Sequence, residues 1–268
     1  FSAGGKRLRP ALVIIAAKFG SYDSDKIVPI AGAVETLHTA TLVHDDIIDR
    51  SKLRRGKVTV SEKYGSDMAV YTGDFLFTKA VFMLSKGISA EKLEQIARAV
   101  KAICEGEVDQ FEDRFNLDTT VYEYLKRIHR KTAALFASAC GLGADTAGCP
   151  KDVLRLLTKF GLYFGMAGHI RYDINDIILD SGSTGKTEGS DAAKGVITLP
   201  VIYSMKGNKA LKDRILSLKG KEDSISLKEL SEIKKMIREV GGIEKSSALL
   251  DKYIKKGLAM LEGLPQNL

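Results

Sequence analysis

The chain has 268 residues, of which 44% are hydrophobic and only 5 are proline, enough to bury one sizeable core without linkers or repeats. Its formal charge of +7 comes from dispersed Lys and Arg, with no Trp and only 7% aromatic residues, which argues against nucleic-acid binding and for a solvated surface with a pocket for anions. No apolar run approaches the ~20 residues of a membrane span. No signal peptide is visible, and the three cysteines (Cys104, Cys140, Cys149) lack metal-ligand spacing, so a reducing, cytoplasmic location is expected.

Helical periodicity dominates the chain. Ile30, Val34, Leu37 and Thr41 lie at helical spacing and lead into an acidic stretch at Asp45. Residues 92–103 place Leu93, Ile96, Ala97, Val100 and Ile103 on one face. A helix is predicted over Val121 to Cys140, another over Val153 to Ile170, and a further one from Leu227 to Val240 with Ser226 as its N-cap. Breakers predict loops at Gly20 to Ser24, Gly56, Gly87, Gly141 to Pro150, Ser181 to Gly189 and Gly207. The fifth of these, with Gly182 and Gly185, is a candidate lid. Strand alternation is nearly absent, so the expected fold is all-α: a single-domain bundle of roughly ten or more helices around a deep apolar cavity. The chain opens on Phe1 rather than Met, so one domain over 1–268 with a truncated N-terminus is the reading.

The residues that carry chemistry cluster early. Asp45, Asp46 and Asp49 are followed by Arg54-Arg55-Gly56. On a helix Asp45 and Asp49 lie one turn apart on one face. Two such carboxylates suit Mg²⁺, which binds through one or two acids plus substrate phosphates. The arginines suit the phosphate oxygens. Further short motifs follow in order: Gly73-Asp74-Phe75-Leu76, Gly106-Glu107 with Gln110, Lys131-Thr132, Asp173 with Asp176, Gly185-Lys186, and Thr198-Leu199-Pro200, all after an opening Gly4-Gly5-Lys6-Arg7-Leu8-Arg9-Pro10.

This ordered set closely resembles the trans-isoprenyl diphosphate synthases, or polyprenyl synthetases, from Gly4 to beyond Pro200. The resemblance implies a transferase of isoprenoid biosynthesis that condenses an allylic diphosphate with isopentenyl diphosphate inside a helical bundle. It implies up to three Mg²⁺ ions bound with substrate, Mn²⁺ being an alternative. Carried over by motif, the metal ligands are Asp45 and Asp49, with Asp46 in support, and Asp173 and Asp176 from a second acidic motif. Arg54, Lys131 and Lys186 resemble the catalytic cations that grip the allylic diphosphate, and Gln110 and Thr132 line that pocket. Lys6, Arg9, His38 and Arg55 resemble the isopentenyl diphosphate site. A homodimer is expected, with at most peripheral membrane contact for product release. Residues before Asp45 on the same helix should meet the growing tail: Thr41, Ala40, Leu37, Val34 and Ala33. Ala40 stands where shorter-chain members often place an aromatic floor, which points to a medium or long product, unless Phe77 or Phe82 closes the tunnel from a facing helix.

The second acidic motif departs from the family pattern. Without gaps, Gly168-His169 takes its Phe-Gln positions and Tyr172 replaces the first acid. A neutral phenol is a poor Mg²⁺ ligand. A rival frame through Asp176 and Asp180 needs compensating gaps. Val196 also stands where a lysine is expected, with Lys194 two residues earlier. Two alternatives therefore remain. One is a class I terpene cyclase, for which Asp180, Thr184 and Glu188 have the spacing of an acid-hydroxyl-acid site. The other is a non-catalytic prenyl-diphosphate-binding partner subunit.

Overall fold

A computed structural model of the chain describes residues 4–179, 190–221 and 224–266. Among them the chain is almost wholly helical: α1 (Leu8–Ala17), α2 (Ser24–Ile48), α3 (Val60–Tyr64), α4 (Ser66–Ser85), α5 (Ala90–Glu112), α6 (Val121–Ile128), α7 (Ala134–Thr146), α8 (Lys151–Ile178), α9 (Ser190–Ala193), α10 (Leu199–Met205), α11 (Lys209–Leu216), α12 (Leu227–Glu239) and α13 (Gly242–Glu262). The expected all-α bundle is observed. None of these helices is long and apolar enough to cross a membrane.

Local sequence explains the helix starts. The Asp23 side chain accepts from the Asp25 N–H to open α2. Ser226 caps α12 as predicted, and Glu229 reaches back to complete a capping box. The same device, Thr120 with Glu123, opens α6.

Among the described residues the only strands form a hairpin, β1 (Leu53–Arg54) and β2 (Lys57–Val58). Arg55 and Gly56 both have positive φ, 52° and 74°, as a two-residue type I′ loop demands. The Arg-Arg-Gly triplet is thus a turn as well as a charge cluster.

Three predicted boundaries move. The run from Val121 is not one α-helix: a π-helical turn, His129–Ala133, separates α6 from α7. Helix α7 runs on to Thr146, through glycines read as a loop start, because Leu142, Gly143 and Ala144 are buried and extend its packed face. Helix α8 continues eight residues past Ile170 and carries both Asp173 and Asp176.

Helix α2 packs along α4 and α1, α7 against α1 and α8, and α13 along α8. The largest cluster of buried side chains joins Ile30, Val34 and Leu37 of α2 to Leu84, Ile103 and Leu135. A second joins Tyr124 and Ile128 to Ile170, Ile174 and Leu199. An apolar cavity of 310 Å³ lies between α8 and α13, lined by Phe164, Gly168 and Tyr253 among others. By contrast, α2 below Asp45 is packed: Ala33, Leu37 and Ala40 are buried.

Candidate active site

Helix α2 ends at Ile48, so Asp45 sits in its last turn and Asp49 on its C-cap. Both line a pocket with Glu107, Gln110 and Phe111 of α5, Arg114 just beyond it, and Lys131 of the π-helical turn. Lys131 Nζ donates to Glu107 Oε2 at 2.7 Å and Gln110 Oε1 at 3.3 Å. Burial, Glu107 and Asp49 push the Asp45 carboxyl up to about 7, against the opposing pull of Lys131 and Arg54. A half-buried acid held this way is short of positive charge.

That is the environment a hard dication suits. Among the described residues no three His, Cys, Asp or Glu side chains converge as a ready-made cage. Asp45 and Asp49 therefore fit Mg²⁺ in the manner of an ion completed by phosphate oxygens and water.

Asp46 does not join them. It is buried and accepts from Arg54 Nε through both oxygens, at 2.7 and 2.9 Å. In this structure it holds Arg54 instead of facing the pocket of Asp45 and Asp49, since successive helix residues point about 100° apart. With Arg54 it lines a separate cavity of 140 Å³, shared with Arg7, Arg55 and Lys57.

His38 sits in the arginine field on that side. Burial and the charges of Arg9, Arg55, Arg54 and Arg7 lower its pKa to about 3, so it is neutral at physiological pH. Arg9 stacks over the Phe136 ring at 4.2 Å, and its buried Nε lacks a hydrogen-bond partner. Burial lowers its pKa to about 10. Arg7 pairs with Glu35, Arg55 donates to the Gly4 carbonyl, and Lys6 is exposed. Such a field fits a small, multiply charged anion.

The second acidic motif is rebuilt rather than merely weakened. Asp173, expected as a metal ligand, is 2% exposed and accepts from the Tyr124 hydroxyl at 2.6 Å. Burial and the nearby charge of Asp191 raise its pKa well above the usual carboxylate range. His169 Nε2 lies 3.6 Å from Asp173, while its Nδ1 is 2.7 Å from Thr132 Oγ1. Burial, then Lys131 and Arg127, lower its pKa to about 3. Thr132 thus shares a hydrogen bond with a neutral histidine whose other nitrogen faces Asp173. In this structure Asp173 is held by protein partners, the Tyr124 hydroxyl and the neighbouring His169 ring.

Tyr172 is 47% exposed, and Asp176 is half-buried. Lys194 Nζ reaches Asp49 Oδ2 at 3.3 Å, so its turn, which also holds Asp191 near Asp173, spans the two acidic regions. Lys186, Asp180, Thr184, Glu188, Gly182 and Gly185 lie outside the described residues. Of the chain-length residues, Leu37 is core, Ala40 is 1% exposed, Thr41 is half-buried with its hydroxyl on the His38 carbonyl, and Phe77 is 37% exposed.

Glu107, Arg114 and Tyr124 were missed as functional candidates by sequence reasoning. Glu107 lay inside a quoted motif without a role. Tyr124 had no signal, because its partner Asp173 is distant in the chain, and Arg114 had none because it lies outside every motif.

A helical bundle whose second helix ends in an acid pair facing a lysine, beside a pocket of arginines, is a diphosphate-handling scaffold. The chain belongs to the polyprenyl synthetase family, whose model matches residues 1–239. It is 39% identical over 265 residues to heptaprenyl diphosphate synthase component 2 of Geobacillus stearothermophilus, covering 99% of this chain and 82% of that protein. Octaprenyl diphosphate synthase of Escherichia coli is 38% identical over 204 residues, 76% of this chain and 63% of that one. Among solved structures, heptaprenyl diphosphate synthase of Staphylococcus aureus superposes with a TM-score of 0.93 at 37% identity, over 99% of this chain and 83% of that chain. A polyprenyl synthase of Caulobacter crescentus, complexed with calcium and isoprenyl diphosphate, also gives 0.93 at 34% identity, over 100% and 81%.

Proposed function

We propose that this chain is a chain-elongating prenyltransferase that joins an allylic diphosphate to isopentenyl diphosphate, releases pyrophosphate, and repeats the addition to a medium or long product. One observation carries the reading: Asp45 and Asp49 share a pocket with Lys131 and Gln110. Breaking the allylic C–O bond leaves a carbocation and a departing pyrophosphate, whose growing charge needs fixed cations. Lys131 and Arg54 are those cations, and Asp45 and Asp49 would hold Mg²⁺, which neutralises phosphate charge when bound. Arg9, Arg55, Lys6 and neutral His38 hold the isopentenyl diphosphate, whose double bond attacks the cation. The calcium and isoprenyl diphosphate of the Caulobacter relative support a hard dication with such a substrate.

A second reading concerns assembly. The Geobacillus relative, and one from Bacillus subtilis at 38% identity, are each a component 2 of heptaprenyl diphosphate synthase. With Tyr172 in place of an acid, this supports an arrangement in which the chain works beside an unlike partner subunit. The cyclase alternative is less well supported, because it gives the arginines around His38 no task.

The test is uptake of isotope-labelled isopentenyl diphosphate into extended product by purified chain. Uptake should require a divalent cation and fall at least ~100-fold in Asp45→Asn or Asp49→Asn, each of which removes charge stabilisation from the transition state. Uptake that persists in both variants would refute the reading.

A further inference from the structure

Tyr172 and Val196 withdraw one acid, and so the cation it would hold, and one lysine from the places where the family pattern sets them. Val196 cannot compensate, since it is buried. Two cations outside every motif nevertheless converge on the same region. Arg114 lines the pocket of Asp45, Asp49 and Lys131. Its guanidinium lies over the Phe111 ring at 4.9 Å, and its buried Nε has no hydrogen-bond partner. No ion pair engages it among the described residues. Lys194 comes from the other side, its Nζ 3.3 Å from Asp49 Oδ2.

The two are placed by one built junction. The Phe115 N–H, next to Arg114, donates to the Gly195 carbonyl, next to Lys194, at 2.8 Å. Phe115 and Gly195 both adopt positive φ, 58° and 72°. A Cβ on Gly195 would lie 2.4 Å from the Phe115 ring, so only glycine allows this approach. Arg127, itself buried, ties both segments: it lies 3.8 Å from the Asp113 carboxylate and donates to the Ile197 carbonyl at 2.6 Å. An arginine with an unmet donor and a lysine on a flexible stem, both fixed at the rim of an acid-and-lysine pocket, are arranged for phosphate oxygens.

We propose that Arg114 and Lys194 form a second diphosphate-binding pair, which holds the departing pyrophosphate of the allylic substrate and supplies charge that Tyr172 and Val196 do not. The inference rests on the allylic diphosphate reading above. The competing account is structural: Lys194 merely neutralises Asp49, and Arg114 merely stacks on Phe111.

The test is calorimetric binding of inorganic pyrophosphate to the full chain at saturating Mg²⁺, with isopentenyl diphosphate binding measured in parallel. Arg114→Gln and Lys194→Met should each weaken pyrophosphate binding about tenfold or more, as loss of a charge-assisted hydrogen bond does. Isopentenyl diphosphate affinity should not change. Arg114→Lys and Lys194→Arg should stay within about threefold of the parent, since each keeps the charge. Unchanged pyrophosphate affinity in the Gln and Met variants would overturn the proposal. So would an equal loss for both ligands, including any loss caused by misfolding that the conservative variants share. A parent chain that binds no pyrophosphate with Mg²⁺ would instead overturn the diphosphate reading itself.

Discussion

His169 has the most specific consequence among single residues. It stands where the family resemblance expects glutamine, and its neutral ring links Thr132 to Asp173. Its folded pKa, about 3, lies below the ordinary 6.5. The unfolded chain therefore takes up a proton below about pH 6.5 while the folded chain does not until about pH 3, so this residue's contribution to stability is lost as pH falls through that window. His169→Gln keeps hydrogen-bonding groups but does not titrate. Relative to that variant, the parent should lose about 2 kcal/mol between pH 7 and pH 5, by the linkage of a 1.5-unit window. Denaturant melts at the two pH values check this; a constant difference would mean that His169 is not held neutral. The acid pair at Asp45 and Asp49 was legible because both residues sit on one helix face, where spacing determines geometry. The contacts of Asp46 with Arg54 and of Asp173 with Tyr124 were not legible, because a motif cannot say which carboxylate a side chain from another segment will engage.

At the scale of elements, the π-helical turn is the least predictable and the most consequential feature. It adds a residue between α6 and α7 and turns Lys131 toward Glu107 and Thr132 toward His169. Apolar periodicity tolerates one extra residue in a turn, so Leu125, Ile128, Leu135 and Phe136 read as a single continuous helix. Helix α5 can approach this turn because Gly106 has no side chain: a Cβ there would lie 3.0 Å from the Lys131 backbone nitrogen and 3.1 Å from Arg130 Cβ. Gly106→Val should overpack the junction, lowering stability by about 1–3 kcal/mol. It should also lower turnover at least ~10-fold, since small misplacements of positioned groups are costly in rate. Thermal melts and steady-state kinetics measure the two effects. A variant with full turnover would show that α5 need not touch the turn. By contrast, α12 was read nearly to the residue because Ser226 and Glu229 announce it locally.

The whole molecule leaves an apolar stripe uncovered. Met68, Tyr71, Phe75 and Phe82 lie along one side of α4, and Tyr71 and Phe75 are each 68% exposed. Exposed aromatic residues at this density mark an association surface, in keeping with the dimer expected by resemblance. Light scattering at micromolar concentration should give a dimer mass for the parent and a monomer for Phe75→Asp; a monomeric parent would contradict this. The all-α architecture was legible because it follows from periodicity along the chain. Which helix faces remain bare depends on how the elements meet, and no local pattern encodes that. The central claim, elongation of an allylic diphosphate by a pocket built on Asp45 and Asp49, is tested most directly by mass spectrometry of the products formed from allylic and isopentenyl diphosphates with Mg²⁺. The account predicts linear polyprenyl diphosphates of medium or long chain. Cyclic hydrocarbons, or unreacted substrates even with an unlike partner subunit supplied, would contradict it.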